Sequence, residues 1–127
     1  HMIRIPAAGR FELRLMDGSS NPYLLQAGII AAGLHGINNK INPGEPLSCN
    51  MYTDYDNYPN LQKLPDQIIE ALDFLKNSKE LREAFGNDVI NSFIKLKNIE
   101  IEDFNKQEHF DKESGVTSWE KNNTLDC

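Results

Sequence analysis

The chain lacks the features that announce several common kinds of protein. It holds two cysteines, Cys49 and Cys127, in 127 residues. Neither stands in a CxxC pair or beside histidines, which excludes a structural zinc site of ordinary spacing. Such scarcity fits a reducing, cytoplasmic setting and leaves open a disulfide between the two. Positive charge is also short: 13 Lys and Arg face 19 Asp and Glu, for a formal net charge of −6. A general nucleic-acid binder needs a concentrated basic surface, so that class is excluded. The longest apolar run, residues 24–34, is broken by Gln26, Gly28 and Gly33. It is too short to span a bilayer, so no membrane role is expected. Neither a P-loop nor a G-x-S-x-G elbow occurs, which argues against P-loop nucleotide hydrolysis or acyl-serine chemistry in this segment. Internal repeats and low-complexity runs are absent too.

What is present suffices for one compact domain: hydrophobic residues make up 39% and charged residues 25%, a balance that supports a buried core. His1-Met2 reads as the remnant of an expression tag and is set aside. Residues 3–127 then form the unit to be explained. Their start inside an apparent strand suggests a boundary cut within a longer chain.

Residues 3–5 form a short strand that Pro6 is expected to stop, and Ala7-Ala8-Gly9 is a tight connection. Residues 10–15 then alternate strictly, with Arg10, Glu12 and Arg14 on one face and Phe11, Leu13 and Leu15 on the other. The two segments predict a hairpin. Asp17-Gly18-Ser19-Ser20 is turn chemistry, and Asn21-Pro22 supplies an N-cap and a first-turn proline.

The helix predicted over 22–37 is apolar or small nearly all round and wants burial on several sides. Its Gly28, Gly33 and Gly36 cost helix stability but permit close backbone approach. Residues 41–64 form a long irregular stretch carrying Tyr52, Tyr55 and Tyr58; a loop of that length is usually functional or lies over another surface. Helices are expected again from Pro65, with Ile68, Ile69, Leu72 and Leu75 as a stripe. A short helix capped by Asn77 and Glu80 should end at Gly86, and a longer one should run over 87–108. Trp119 is the one large anchor in a polar tail. The fold class is therefore α+β: a short N-terminal β-hairpin followed by about four helices. The exposed β edge invites pairing with a second copy, so a fragment dimer is expected, to be read by light scattering.

The Arg10/Glu12/Arg14 face is the informative constellation. A triply charged strand face is, taken alone, more often simply solvated. The other reading is a site for a multiply anionic substrate. Guanidinium forks match phosphate and carboxylate oxygens in pairs, while a glutamate between them can hold a divalent metal. Arg4 would add a further cation in the right register. Elsewhere the structural reading prevails: His35 as a packing histidine, His109 without a partner at ligand spacing, the tyrosines as loop packing and Asp17 as a turn former.

In order along the chain come Ile3-Arg4-Ile5-Pro6, Arg10-Phe11-Glu12-Leu13-Arg14, Met16-Asp17, Asn21-Pro22-Tyr23 and Gly36-Ile37-Asn38-Asn39-Lys40. Asn50-Met51-Tyr52, Leu64-Pro65, Ile68-Ile69-Glu70-Ala71-Leu72 and Thr117-Ser118-Trp119-Glu120 follow. This ordered set resembles the C-terminal part of the glutamine synthetase catalytic domain, over almost the whole chain from Ile3. The short Ala7-Ala8-Gly9 connection and the ending from Asn123 to Cys127 resemble the type III or GlnT-like subgroup, near the γ-glutamylmethylamide synthetases.

The resemblance implies an ATP-dependent carbon–nitrogen ligase that makes glutamine, or a γ-glutamylamide, through γ-glutamyl phosphate. It implies that Glu12 matches a ligand of the metal (Mg2+ or Mn2+) bridging the nucleotide phosphates. By the same likeness Arg14 matches a residue holding the substrate glutamate's carboxylate, and Arg4 and Arg10 match contacts to ATP or its transferring phosphoryl group. The partners implied are the remainder of the catalytic domain, an N-terminal domain and further copies in a homo-oligomer. Where relatives often carry a lysine near the nucleotide, Ala7, Ala8 and Gly9 stand here. Tyr52 falls where some bacterial members carry an adenylylated tyrosine, but its surroundings differ and that regulation is not carried over. Residues 109–116 resemble an insertion. With most of the site elsewhere, this chain alone is expected to be inactive. A catalytically silent scaffold descended from the ligase, or a small helical interaction module, are the competing readings; retention of Arg4, Arg10, Glu12 and Arg14 speaks against the scaffold.

Overall fold

The computed structural model describes residues 2–106 and 115–124. His109, Cys127, most of the expected insertion and the last residues of the helix expected over 87–108 lie outside them. Strands β1 (Ile3–Ala7) and β2 (Arg10–Leu13) form an antiparallel hairpin. The helices are α1 (Pro22–Asn38), α2 (Ile68–Asn77), α3 (Lys79–Phe85), α4 (Asn87–Asn105) and α5 (Ser118–Asn123), with a single 3-10 turn at Tyr55–Asn57. The α+β expectation holds, with five α-helices among the described residues rather than about four.

The hairpin closes through Ala8 and Gly9, and Gly9 takes φ 75°, a left-handed conformation that suits glycine. Ile3 pairs with Leu13 and Arg4 with Glu12, but Ala7 pairs with Arg10, so β1 carries one extra residue between Arg4 and Ala7. Pro6 lies in that irregularity. Proline was expected to end the strand; instead the bulge leaves a residue unpaired, and a residue without an N–H loses nothing there. The ladder extends past β2, since the Arg14 amide donates to the Met2 carbonyl at 2.9 Å.

Asp17 makes the expected turn: its carboxylate accepts from the Ser19 amide and hydroxyl, each at 2.8 Å. The Asn21 side chain then caps α1, accepting from the Tyr23 and Leu24 amides at 3.0 and 3.1 Å. No residue of α1 is buried. One side, including Leu25 and Ile29, is half-buried, and α1 packs on α3. Tyr23, Ile30, Leu34 and Ile37 remain exposed. An all-round apolar helix covered on one side only is what the sequence pattern led us to expect.

The core sits between α2 and α4, where Leu72 and Ile90 are 7% and 4% exposed, and α3 bridges α1 and α4. Helix α2 begins at Ile68 rather than Pro65. The cap of α3 is Ser78 and not Asn77: the Ser78 hydroxyl accepts from the Leu81 amide at 3.2 Å and donates to Glu80 at 3.1 Å. Gly86 ends α3 at φ 82°, as its position suggested. Arg82 ties this corner together, donating to the Lys76 carbonyl and to the side chains of Asn87 and Asn91.

Helix α5 has a reciprocal capping box between Thr117 and Glu120. Trp119 fastens it to α4: the indole N–H donates to Asp103 at 2.7 Å, and the ring meets Phe104 edge-on at 5.5 Å. The 41–64 stretch is held by local turns, with the Asn50 amide donating to Asp54 and the Tyr52 amide to Asn50. Tyr52 packs on nothing and is fully exposed. The Cys49 thiol faces the Met51 sulfur at 3.5 Å.

Candidate functional site

Two places in the fold qualify for scrutiny. The first is a cavity of ≈ 430 Å³ between α1, α3 and α4, lined by Leu24, Leu25, Leu81, Phe85, Ile90 and Phe93 among others. Apolar concavities with a few convergent polar groups are common ligand sites. Here the one charged side chain, Lys97, is already spent on Glu100 at 2.6 Å and lies over the Phe93 ring. We read this cavity as unfilled core.

The second place is the charged face of the hairpin. Alternation puts Arg10, Glu12 and Arg14 of one segment on a common side, and the bulge brings Arg4 opposite Glu12 on that same side. All three guanidiniums then converge on one carboxylate. Arg4 Nη1 lies 3.3 and 3.1 Å from Glu12 Oε1 and Oε2, Arg10 Nη2 is 2.8 Å from Oε1, and Arg14 Nη2 is 3.3 Å from Oε2. The structure thus brings together the four candidate site residues, Arg4, Arg10, Glu12 and Arg14.

The arginine side chains are half or more exposed, whereas Glu12 is 26% exposed beneath them. The Arg4 guanidinium, hydrogen-bonded to Glu12, lowers its carboxyl below the ordinary glutamate range; partial desolvation opposes this, and Arg14 adds to the lowering. Exposed ion pairs add little to stability, and three guanidiniums gathered at one point repel one another. The cluster leaves two net positive charges on a chain of net charge −6. Its chemistry is that of an anion receptor.

A metal is a different matter. Among the described residues no group of three His, Cys, Asp or Glu side chains could hold one, and both oxygens of Glu12 are engaged by guanidiniums. The donor set does not fit a metal ion bound by this chain alone. Among the described residues no helix is long and apolar enough to cross a membrane.

The profile of the glutamine synthetase catalytic domain matches residues 1–115. The chain belongs to the glutamine synthetase family. It is 43% identical over 126 residues to a glutamine synthetase of Rhizobium meliloti, covering 99% of this chain and 27% of that protein. A glutamate–methylamine ligase of Methyloversatilis universalis is 36% identical, with 98% of this chain and 27% of that protein covered. A solved structure, a GmaS/ADP complex, superimposes with a TM-score of 0.78 at 39% identity, over 100% of this chain and 27% of that one. The chain therefore spans about a quarter of the length of the curated relatives it matches. Glutamine synthetases and glutamate–methylamine ligases are both among its relatives, and the hairpin-plus-helices architecture is shared with GmaS.

Proposed function

We propose that this chain supplies the arginine–glutamate strand of the active site of an ATP-dependent carbon–nitrogen ligase, which joins an amine to the γ-carboxyl of glutamate. The observation that carries the reading is the convergence of Arg4, Arg10 and Arg14 on Glu12 from one face, within a chain of this family. Forming γ-glutamyl phosphate brings a carboxylate against a polyphosphate, so fixed positive groups must offset like charges where they meet. Arg4 and Arg10 take the nucleotide phosphates and the transferring phosphoryl group, and Arg14 takes the carboxylate of substrate glutamate. Guanidinium forks suit both because each presents paired donors. Glu12 contributes one carboxylate to a Mg2+ or Mn2+ site whose other ligands stand elsewhere in the parent ligase.

The amine is ammonia or methylamine. Relatives of both kinds support this, the GmaS/ADP complex among them, and the groups that choose between the two lie in other parts of the parent. The remaining catalytic domain covers the open face of α1, and further copies complete a cytoplasmic homo-oligomer. One glutamate and three arginines do not align two substrates, so the 127-residue chain alone turns nothing over.

The test is phosphate release by the full-length parent with ATP, glutamate and either ammonium or methylamine. Turnover is expected with one of the two amines. Arg14→Lys should raise KM for glutamate about tenfold or more through loss of a charge-assisted hydrogen bond. A parent inactive with both amines, or an Arg14→Lys parent with unchanged KM, refutes the reading.

A further inference from the structure

The hairpin stands apart from the helices. Its two strands pack chiefly on each other, while the helices pack among themselves, α1 on α3 and both α2 and α3 on α4. Ile5 and Phe11 are 75% and 60% exposed. A two-stranded sheet is marginal in water by itself, and further strands are one remedy. Among the described residues neither edge of this sheet has another strand beside it.

The two edges differ. The bulge interrupts β1, and Pro6 has no N–H to offer a neighbour. The edge of β2 is regular. Its Arg14 amide donates to the Met2 carbonyl, so that N–H points at β1. Backbone groups alternate in direction along a strand. Glu12, paired with Arg4, therefore also faces β1, and the N–H and C=O groups of Phe11 and Leu13 point away from it. Among the described residues, no backbone group outside the hairpin bonds them.

We propose that this edge pairs antiparallel with β2 of a second copy of the chain, about a two-fold axis at Leu13. Registers centred on Phe11, Glu12 or Leu13 all keep apolar residues opposite apolar or small ones and charged residues on the other face. With the axis at Glu12, Arg10 faces Arg14 of the other copy and glutamate faces glutamate. With the axis at Phe11, Leu13 faces Gly9, already in the turn. With the axis at Leu13, Glu12 of each copy faces Arg14 of the other, Phe11 faces Leu15, and Leu13 meets its own counterpart. That register alone sets opposite charges across the join and keeps the apolar row unbroken. The contact is self-complementary and closes at two copies. The outer edges of the resulting sheet are then the two β1 strands, whose bulge and proline stop further addition. None of this depends on the ligase reading.

The test follows the 127-residue chain by sedimentation velocity across concentration, with amide hydrogen exchange at the low and high ends. A monomer–dimer equilibrium is expected, and the Phe11 and Leu13 amides should gain in the dimer a protection that they lack in the monomer. Leu13→Pro removes the donor at the axis without touching a bond to β1 and should abolish the dimer, whereas Leu13→Ala keeps the N–H and should retain a weaker one. Arg14→Glu should raise the dimer dissociation constant about tenfold, because two opposite-charge pairs become like-charge pairs. Adding Glu12→Arg to it should restore the affinity. Protection of the residue-14 amide reports that the hairpin persists in each variant; if Leu13→Pro loses it, the charge variants decide. A chain that stays monomeric at the concentrations used for NMR would overturn the proposal. So would a dimer with unprotected Phe11 and Leu13 amides, which joins by its apolar faces, or tighter association by Arg14→Glu, which sets the axis at Glu12. Failure of the double variant to recover would overturn it as well.

Discussion

Alanine at Gly28 and Gly33, two interior positions of α1, separates what this chain needs from what its parent needs. Glycine in the middle of a helix costs about 1 kcal/mol relative to alanine, because the unfolded glycine backbone is freer. The gain is cancelled only if the new methyl group collides with something. At both positions a Cβ would meet no heavy atom within 4 Å, and neither residue has positive φ. The double substitution should therefore stabilise α1 by about 2 kcal/mol, or roughly thirtyfold in its opening equilibrium. Amide hydrogen exchange along α1, compared with α4 as an internal reference, reads this directly: α1 amides should slow while α4 amides barely change. Unchanged or faster exchange in α1 would refute the reasoning, since it would mean that part of this chain already lies against those glycines. Alanine at Gly33 introduced into the parent should instead weaken its packing, because that residue lies on the exposed side of α1, the surface we assign to the missing cover.

Two further outcomes follow from contacts already described. Glu12 has its carboxyl held below the ordinary value of 4.5, first by Arg4; a depressed folded value gives stability that is complete above 4.5 and lost as pH falls through the lower folded value. Protection of the Arg14 amide, bonded to Met2, relative to its intrinsic exchange rate should fall over that acid range in the native chain and stay flat there in Glu12→Gln; identical profiles would remove the cluster's influence on the hairpin. Trp119→Phe keeps the ring edge near Phe104 but loses the indole N–H to Asp103, loosening α5 by about 1 kcal/mol. Trp119→Ala should cost about 0.5–1.5 kcal/mol more for the lost aromatic pair; equal exchange rates of α5 amides in both variants would show that the ring contact contributes nothing.

Much of the site was legible before any coordinates, because period-two alternation is a local property: Arg10, Glu12 and Arg14 had to share a side once that segment was extended. Arg4 was not, since its side depends on pairing across the turn and on a bulge that no local pattern reveals. The helices behaved alike. Asn21 and Pro22 marked the start of α1 because capping residues act within one turn. By contrast, Ser78 took the cap from neighbouring Asn77, a choice between two competent residues that the geometry of the α2–α3 corner decides. Helix α5 escaped notice because six residues carry too little periodicity to detect. Its Thr117 and Glu120, three apart, were the signal that could have found it. Tyr52 was expected to pack within its loop and instead projects into solvent; nothing in its local sequence distinguishes the two.

The irregularity at Pro6 makes counting as consequential as chemistry. Arg4 and Ala7 are separated by an odd number of steps, which in a regular strand means opposite sides, yet both pair with residues on one side of β2. Straightening the bulge at unchanged chain length would pair Ile5 with Glu12 and turn Arg4 away, lowering the cluster from two net positive charges to one while every charged residue stays in the gene. Chain length between the two strands and the presence of the bulge must then change in step, so a comparison of residue identities alone would miss the loss of a quarter of the cluster.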